Sequence, residues 1–155
     1  MNNFDFLVEL LLHSFGVKTM FVDHGQKAGV DSVGIGPVGL RIFVVGTTTG
    51  IIHDDLQKLF VTVRELKVKL PTLTSRFEVV PLLFTRLPKE SIDAADIQYA
   101  FERGMIVLSS QDIDQLVLFS RTGRHFADLL DLLNERKREE QHMSPSVYQG
   151  FGFIS

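Results

Sequence analysis

Asp31 lies between Val30 and Val33 in an apolar stretch, where a carboxylate needs either a partner or a purpose. Further on, Leu40-Arg41-Ile42-Phe43-Val44-Val45 runs into the small-residue segment Gly46-Thr47-Thr48-Thr49-Gly50. Read as a strand-to-helix turn, that segment offers backbone N–H groups, a helix dipole and the hydroxyls of Thr47, Thr48 and Thr49 to an anion such as a phosphate or nucleotide. The blander reading is a turn with a threonine N-cap. It is not a Walker loop, because the Gly-Lys-[Ser/Thr] ending is missing.

Other chemistry-bearing residues flank this pair. Asp55 and Lys58 stand i,i+3 on the helix that follows and share a face, and Glu9 is an acid on the first helix. Each has a simpler role. Asp54 and Asp55 complement a helix dipole, while Lys58, Arg64, Lys67 and Lys69 suit a solvated helix face. Asp5, Glu9 and His13, spaced by four, form a polar stripe. His24, His53, His125 and His142 lack metal-ligand spacing, which argues against zinc. No Ser-His-Asp arrangement is indicated by spacing.

The chain has 155 residues, 45% of them hydrophobic and 23% charged, which suits one folded domain with a real core. The net charge of −3 argues against indiscriminate coating of nucleic acid. With no cysteine, a disulfide scaffold, a thiolate zinc site and a cysteine nucleophile are excluded. Phe4 to Phe15 is apolar but carries Asp5 and Glu9 without a basic leader, unlike a signal peptide. No run approaches the roughly 20 apolar residues of a membrane span. The expectation is a soluble, cytoplasmic protein without a membrane partner.

The periodicity predicts these elements in order. A helix carries Phe4, Leu7, Leu11 and Phe15, with Asn3 as its cap and Gly16 as its stop. Three strands follow, Lys18–Asp23, Gly29–Ile35 and Leu40–Gly46, joined by links short enough for an antiparallel meander. A second helix bears Leu56, Leu59, Phe60, Val63, Leu66 and Leu70 and closes at Pro71. Phe77–Thr85 reads as a buried strand whose Pro81 hints at an edge. Ser91 caps a helix running to Arg103, and Met105–Leu108 is a short interior strand. Ser109 and Asp112 form a capping box for a further helix, and another covers His125 to Gln141. Phe15, Phe21, Phe43, Phe60 and Phe84 are assigned to the core. The expected fold class is α/β, with a mixed central sheet built from an antiparallel three-strand meander plus parallel crossovers and flanked by helices. It forms a single domain over 1–143, followed by an aromatic tail over 144–155.

In this order, with Asp31 in Gly29-Val30-Asp31-Ser32-Val33-Gly34 and with Ile42-Phe43-Val44-Val45 and Gly104-Met105-Ile106-Val107-Leu108 placed as they are, the chain resembles the PD-(D/E)XK nuclease superfamily, the restriction-endonuclease-like fold. The resemblance covers roughly residues 4 to 119. It implies a Mg²⁺-dependent endonuclease, or a degenerate one, acting on or binding DNA. Asp31 takes the position of the first metal-binding carboxylate, whereas Gly46 and Thr48 occupy those of the second carboxylate and the lysine. A migrated site would use Asp31, Asp55 and Lys58 for catalysis, with Asp31, Asp55 and Glu9 as metal ligands. An inactive relative would be an interaction or self-assembly module, and a homodimer packed through the tail is compatible with it.

Overall fold

Residues 3–21, 32–35, 41–48, 52–123 and 126–143 are described by a computed structural model. The chain forms α1 (Asn3–Ser14), β1 (Lys18–Phe21), β2 (Ser32–Ile35) and β3 (Arg41–Thr48), followed by α2 (Ile52–Lys69) and α3 (Pro71–Arg76). After these come β4 (Glu78–Thr85), a 3₁₀ turn (Lys89–Ser91), α4 (Ala94–Glu102), β5 (Ile106–Leu108), α5 (Ser110–Arg121) and α6 (Phe126–Met143). Asp31, Thr49, Gly50, the links around β2 and the tail from 144 lie outside the described residues. Among the described residues no helix is long and apolar enough to cross a membrane.

β3 is apolar on both faces, and that determines the layering. Phe43 and Val45 point into one core with Val80, Leu82, Phe84, Ile106 and Leu108, covered by α1, α5 and α6. Ile42 and Val44 point into the other with Leu83 and Val107, covered by α2 and α4. Helical crossovers deliver β4 and β5 parallel to β3, in continuous register from Arg41↔Glu78 to Thr48↔Thr85 and from Leu82↔Ile106 to Phe84↔Leu108.

The expected architecture needs correction here. What the helical layers enclose is a three-stranded, all-parallel sheet, β3–β4–β5, not one centred on an antiparallel meander. Antiparallel pairing comes only from the four-residue strands β1 and β2, which pair with each other and, through β2, with β3 at one end of the strand order β1-β2-β3-β4-β5. The short links correctly implied local pairing. They carried no information about where the core would form, which depends on strands buried on both sides.

Several boundaries also move, each for a local reason. Pro71 opens α3 instead of ending the helical region, since a proline at a first helical position loses no hydrogen bond. Asp93, not Ser91, caps α4 by accepting from the Ala95 N–H at 3.1 Å. Pro81 is buried in β4 between β3 and β5, but it precedes Leu82, where pairing with β5 begins. β3 runs two residues past Gly46, so Thr47 and Thr48 belong to the strand. Gly16 and Gly104, at φ 85° and 72°, end α1 and α4 in the left-handed conformation that glycine adopts without Cβ strain.

α6 closes the far side of the molecule. Its Leu129, Leu132 and Leu133 join the first core, and it also packs against α4 of the other layer. It therefore crosses the free side of β5. Phe126 at its start meets Phe43 edge to face, with ring centroids 6.1 Å apart. Because Phe43 is wholly buried in the strand both layers share, Phe43→Ala is expected to cost about 3–5 kcal/mol in chemical denaturation. Val68→Ala, at a position 79% exposed on α2, should stay within about 0.5 kcal/mol of the parent.

Candidate functional site at the carboxyl ends of the parallel strands

In open α/β sheets ligands collect beyond the carboxyl ends of the strands, because helix N-termini and strand-end loops converge there. Here that edge contains Gly46, Thr47 and Thr48 of β3 and Thr85 of β4, with Ser109 just after β5. Side chains alternate along β3, so Thr47 faces α1, as Phe43 and Val45 do. Thr48 shares the α2 face with Ile42 and Val44.

Thr47 Oγ1 donates a hydrogen bond to Oδ1 of Asp5 in the first turn of α1. Asp5 is buried, contrary to its assignment to a polar stripe. The actual inward face of α1 is Phe4, Val8, Leu11, Leu12 and Phe15, whereas Leu7, expected inside, is exposed. Asp5 falls in line with Val8 and Leu12 at i, i+3 and i+7, and that spacing was the signal available for it. Beside it, the guanidinium of exposed Arg86, just past the end of β4, lies 4.8 Å over the Phe4 ring. Thr48 and Thr85, paired in register, are both buried, and Thr85 Oγ1 accepts from the Leu87 N–H at 3.1 Å.

The predicted site residues that are described fall on both faces of the sheet. Asp31 and Thr49 lie outside the described residues. Asp55 is half-buried and Lys58 exposed on α2, while half-buried Glu9 belongs to α1; the sheet separates these two helices. The anion loop is corrected too, because Thr47 and Thr48 are strand residues whose hydroxyls sit among protein atoms.

Mg²⁺ demands near-octahedral oxygen coordination, usually through carboxylates. At the positions the resemblance assigns, Gly46 offers no side chain and Thr48 a neutral hydroxyl. The acid that reaches the end of β3, Asp5, accepts from Thr47. Among the described residues no group of three His, Cys, Asp or Glu side chains could hold a metal ion. Of the carboxylates that the resemblance assigns to the ion, Asp31 lies outside the described residues, and Glu9 and Asp55 stand on opposite faces of the sheet.

A second cluster, which the sequence did not reveal, closes the same edge at β5. Ser109 and Asp112 form the predicted capping box of α5, the Ser109 N–H donating to Asp112 Oδ2 at 2.9 Å. The other oxygen of buried Asp112 takes Nη2 of Arg136 from α6. Arg136 Nη1 meets Glu139, which Lys89 also reaches at 2.6 Å. The Lys89 N–H in turn donates to Gln111 Oε1 at 2.8 Å. The cluster joins the turn after β4, the start of α5 and the far half of α6. Apart from the Ser109–Asp112 box and the i,i+3 pair Arg136–Glu139, its partners lie far apart in sequence, so spacing gives no hint that they meet.

A third arrangement binds α2 to α4. His53 Nδ1 lies 3.2 Å from Asp96 Oδ1, and Gln57 Nε2 lies 3.2 Å from His53 Nε2. The imidazole also stands edge to face with Tyr99, and Arg103 stacks 3.7 Å over that same Tyr99 ring. With both ring nitrogens engaged, His53 is an interhelical bridge and has no lone pair aimed at a substrate.

The hydrogen bond from Lys89 holds the Glu139 carboxyl below its ordinary value of 4.5, aided by the Arg136 and Lys89 charges and opposed by partial burial. A lowered carboxyl pKa gives stability that is present above the ordinary value and lost as pH falls through the folded one. Glu139→Gln should therefore flatten the loss of stability between roughly pH 5 and pH 3, at a cost of up to about 1 kcal/mol at neutral pH. Arg136→Met leaves Asp112 buried without its cation and is expected to cost about 3–5 kcal/mol, much of it recovered by adding Asp112→Asn. Urea titrations across pH check both.

Comparison of the chain with protein-family models, curated proteins and solved structures gives no match.

Proposed function

We propose that this chain binds the phosphate backbone of DNA without cutting it, as a non-cleaving relative of the PD-(D/E)XK nucleases. The observation that carries the reading is the composition of the β3 end. Gly46 and buried Thr48 occupy the positions that the resemblance would give to a metal-binding acid and a lysine, and Thr47 donates to Asp5. Hydrolysis of a phosphodiester at neutral pH requires a charged electrophile to stabilise the phosphorane-like oxygens and an activated water. The Thr47 and Thr48 hydroxyls of the strand end sit among protein atoms and neither activate water nor neutralise developing charge.

Arg86 supports binding at this edge. It is exposed beside the strand ends, and its stacking on Phe4 limits the freedom a phosphate contact would otherwise have to freeze. The reading also accommodates the net charge of −3, because one local cation at an edge calls for weak, salt-sensitive binding and not for a coating protein.

Plasmid incubated with Mg²⁺ or Mn²⁺ should remain supercoiled. A labelled duplex should show anisotropy binding that weakens as salt rises, and Arg86→Ala should weaken it across sequences while lowering the salt slope by about one. Cleavage abolished by Asp31→Ala, or by Asp55→Ala with Lys58→Ala, would establish an active metal site and overturn the non-cleaving reading. Failure to retain any duplex at low salt would remove DNA as the ligand.

A further inference from the structure

We infer that the outer face of α2 is a two-fold interface for a second copy of this chain. Val61, Arg64, Glu65, Val68 and Lys69 line a shallow groove along the side of α2 turned away from the sheet. Val61 and Val68 are 50% and 79% exposed, one turn to either side of the Arg64–Glu65 centre. The helix buries its Ile52, Leu56, Leu59 and Val63 stripe elsewhere, and among the described residues this second apolar line joins neither core.

The order of charges identifies the occupant. A two-fold axis running along α2 would set Arg64 against Arg64 and Glu65 against Glu65, whereas one perpendicular to it sets the helix antiparallel to its copy and pairs positions equidistant from the axis. With the axis midway between residues 64 and 65, Val61 meets Val68 of the copy and Arg64 meets Glu65 of the copy, each pairing occurring twice. The central charges then alternate in sign around the axis, flanked by valine contacts on both sides. No other axis position along this line brings both opposite charges and both valines together. Arg64 lies 5.7 Å over the Phe60 ring of its own chain, which restrains its guanidinium beside the groove before any partner arrives.

A single helix pair belongs to the small interface class, below about 1,200 Å² in total, so a dissociation constant of roughly 10–100 µM is expected. This face lies outside the strand-end site, and the dimer is measured without DNA.

The charge pattern gives the test. In Arg64→Glu homodimers the introduced carboxylate would face Glu65 of the copy, acid against acid. In Glu65→Arg homodimers the introduced guanidinium would face Arg64 of the copy, base against base. Each variant should dimerise at least about tenfold more weakly than the parent in sedimentation equilibrium. In an equimolar mixture of the two, the mixed dimer sets two acids on one helix against two bases on the other, so every central contact is attractive. The mixture should therefore dimerise like the parent, as should the R64E/E65R double variant. Val68→Glu should abolish dimers. All these positions are on the outer face of α2, and unchanged helical circular dichroism verifies folding. A parent that stays monomeric to about 1 mM overturns the proposal. So do single variants that dimerise unimpaired, or a mixture that stays monomeric.

Discussion

The burial of β3 on both faces is the constraint from which the rest of the molecule follows. A strand with Ile42 and Val44 on one side and Phe43 and Val45 on the other cannot sit at a solvent surface, so the chain must supply two layers of helix. α1 comes from before the strand and α2 from after it, on opposite sides. α1 thereby brings the Asp5 carboxylate to Thr47, while α2 places its outer face in solvent. β4 continues the same demand and recruits α4, α5 and α6.

The charges follow a related logic. Asp112 and Asp5 are buried acids, and each accepts a hydrogen bond from a residue distant in sequence, so each ties two distant segments together within the fold. Burying a carboxylate without such a partner would be far costlier than leaving it in water. Basic residues of the α2 outer face and Arg86 lie at the surface, where their charge is available to a partner. The molecule thus separates its charges into those consumed by folding and those offered outward.

Element types were largely legible in the sequence because they rest on local physics: the periodicity of α2, the buried run of β4, the Ser109–Asp112 box and the glycine stops at Gly16 and Gly104. What escaped was relational. A small rotation of α1 turned Leu7 outward and Asp5 inward, and no period computed along a short apolar helix resolves that difference. The meander expectation failed on a similar point, since loop length speaks to which strands are neighbours and not to which strands carry the core. The Arg136–Asp112–Glu139–Lys89 cluster joins residues from three separate segments, so it emerges only when the chain is folded.

α6 lies across the free side of β5 and is tied there by Arg136 and by the leucines it contributes to the first core. β5 has only three residues and is the last strand in the order, the position at which a sheet can be extended by another chain. The helix therefore acts as a guard against edge-to-edge recruitment of other strands. Detaching it would require breaking both the leucine packing and the Arg136–Asp112 pair, and would leave that side of β5 open to another strand. Resistance to aggregation thus depends on the last described helix as much as on the polarity of the surface.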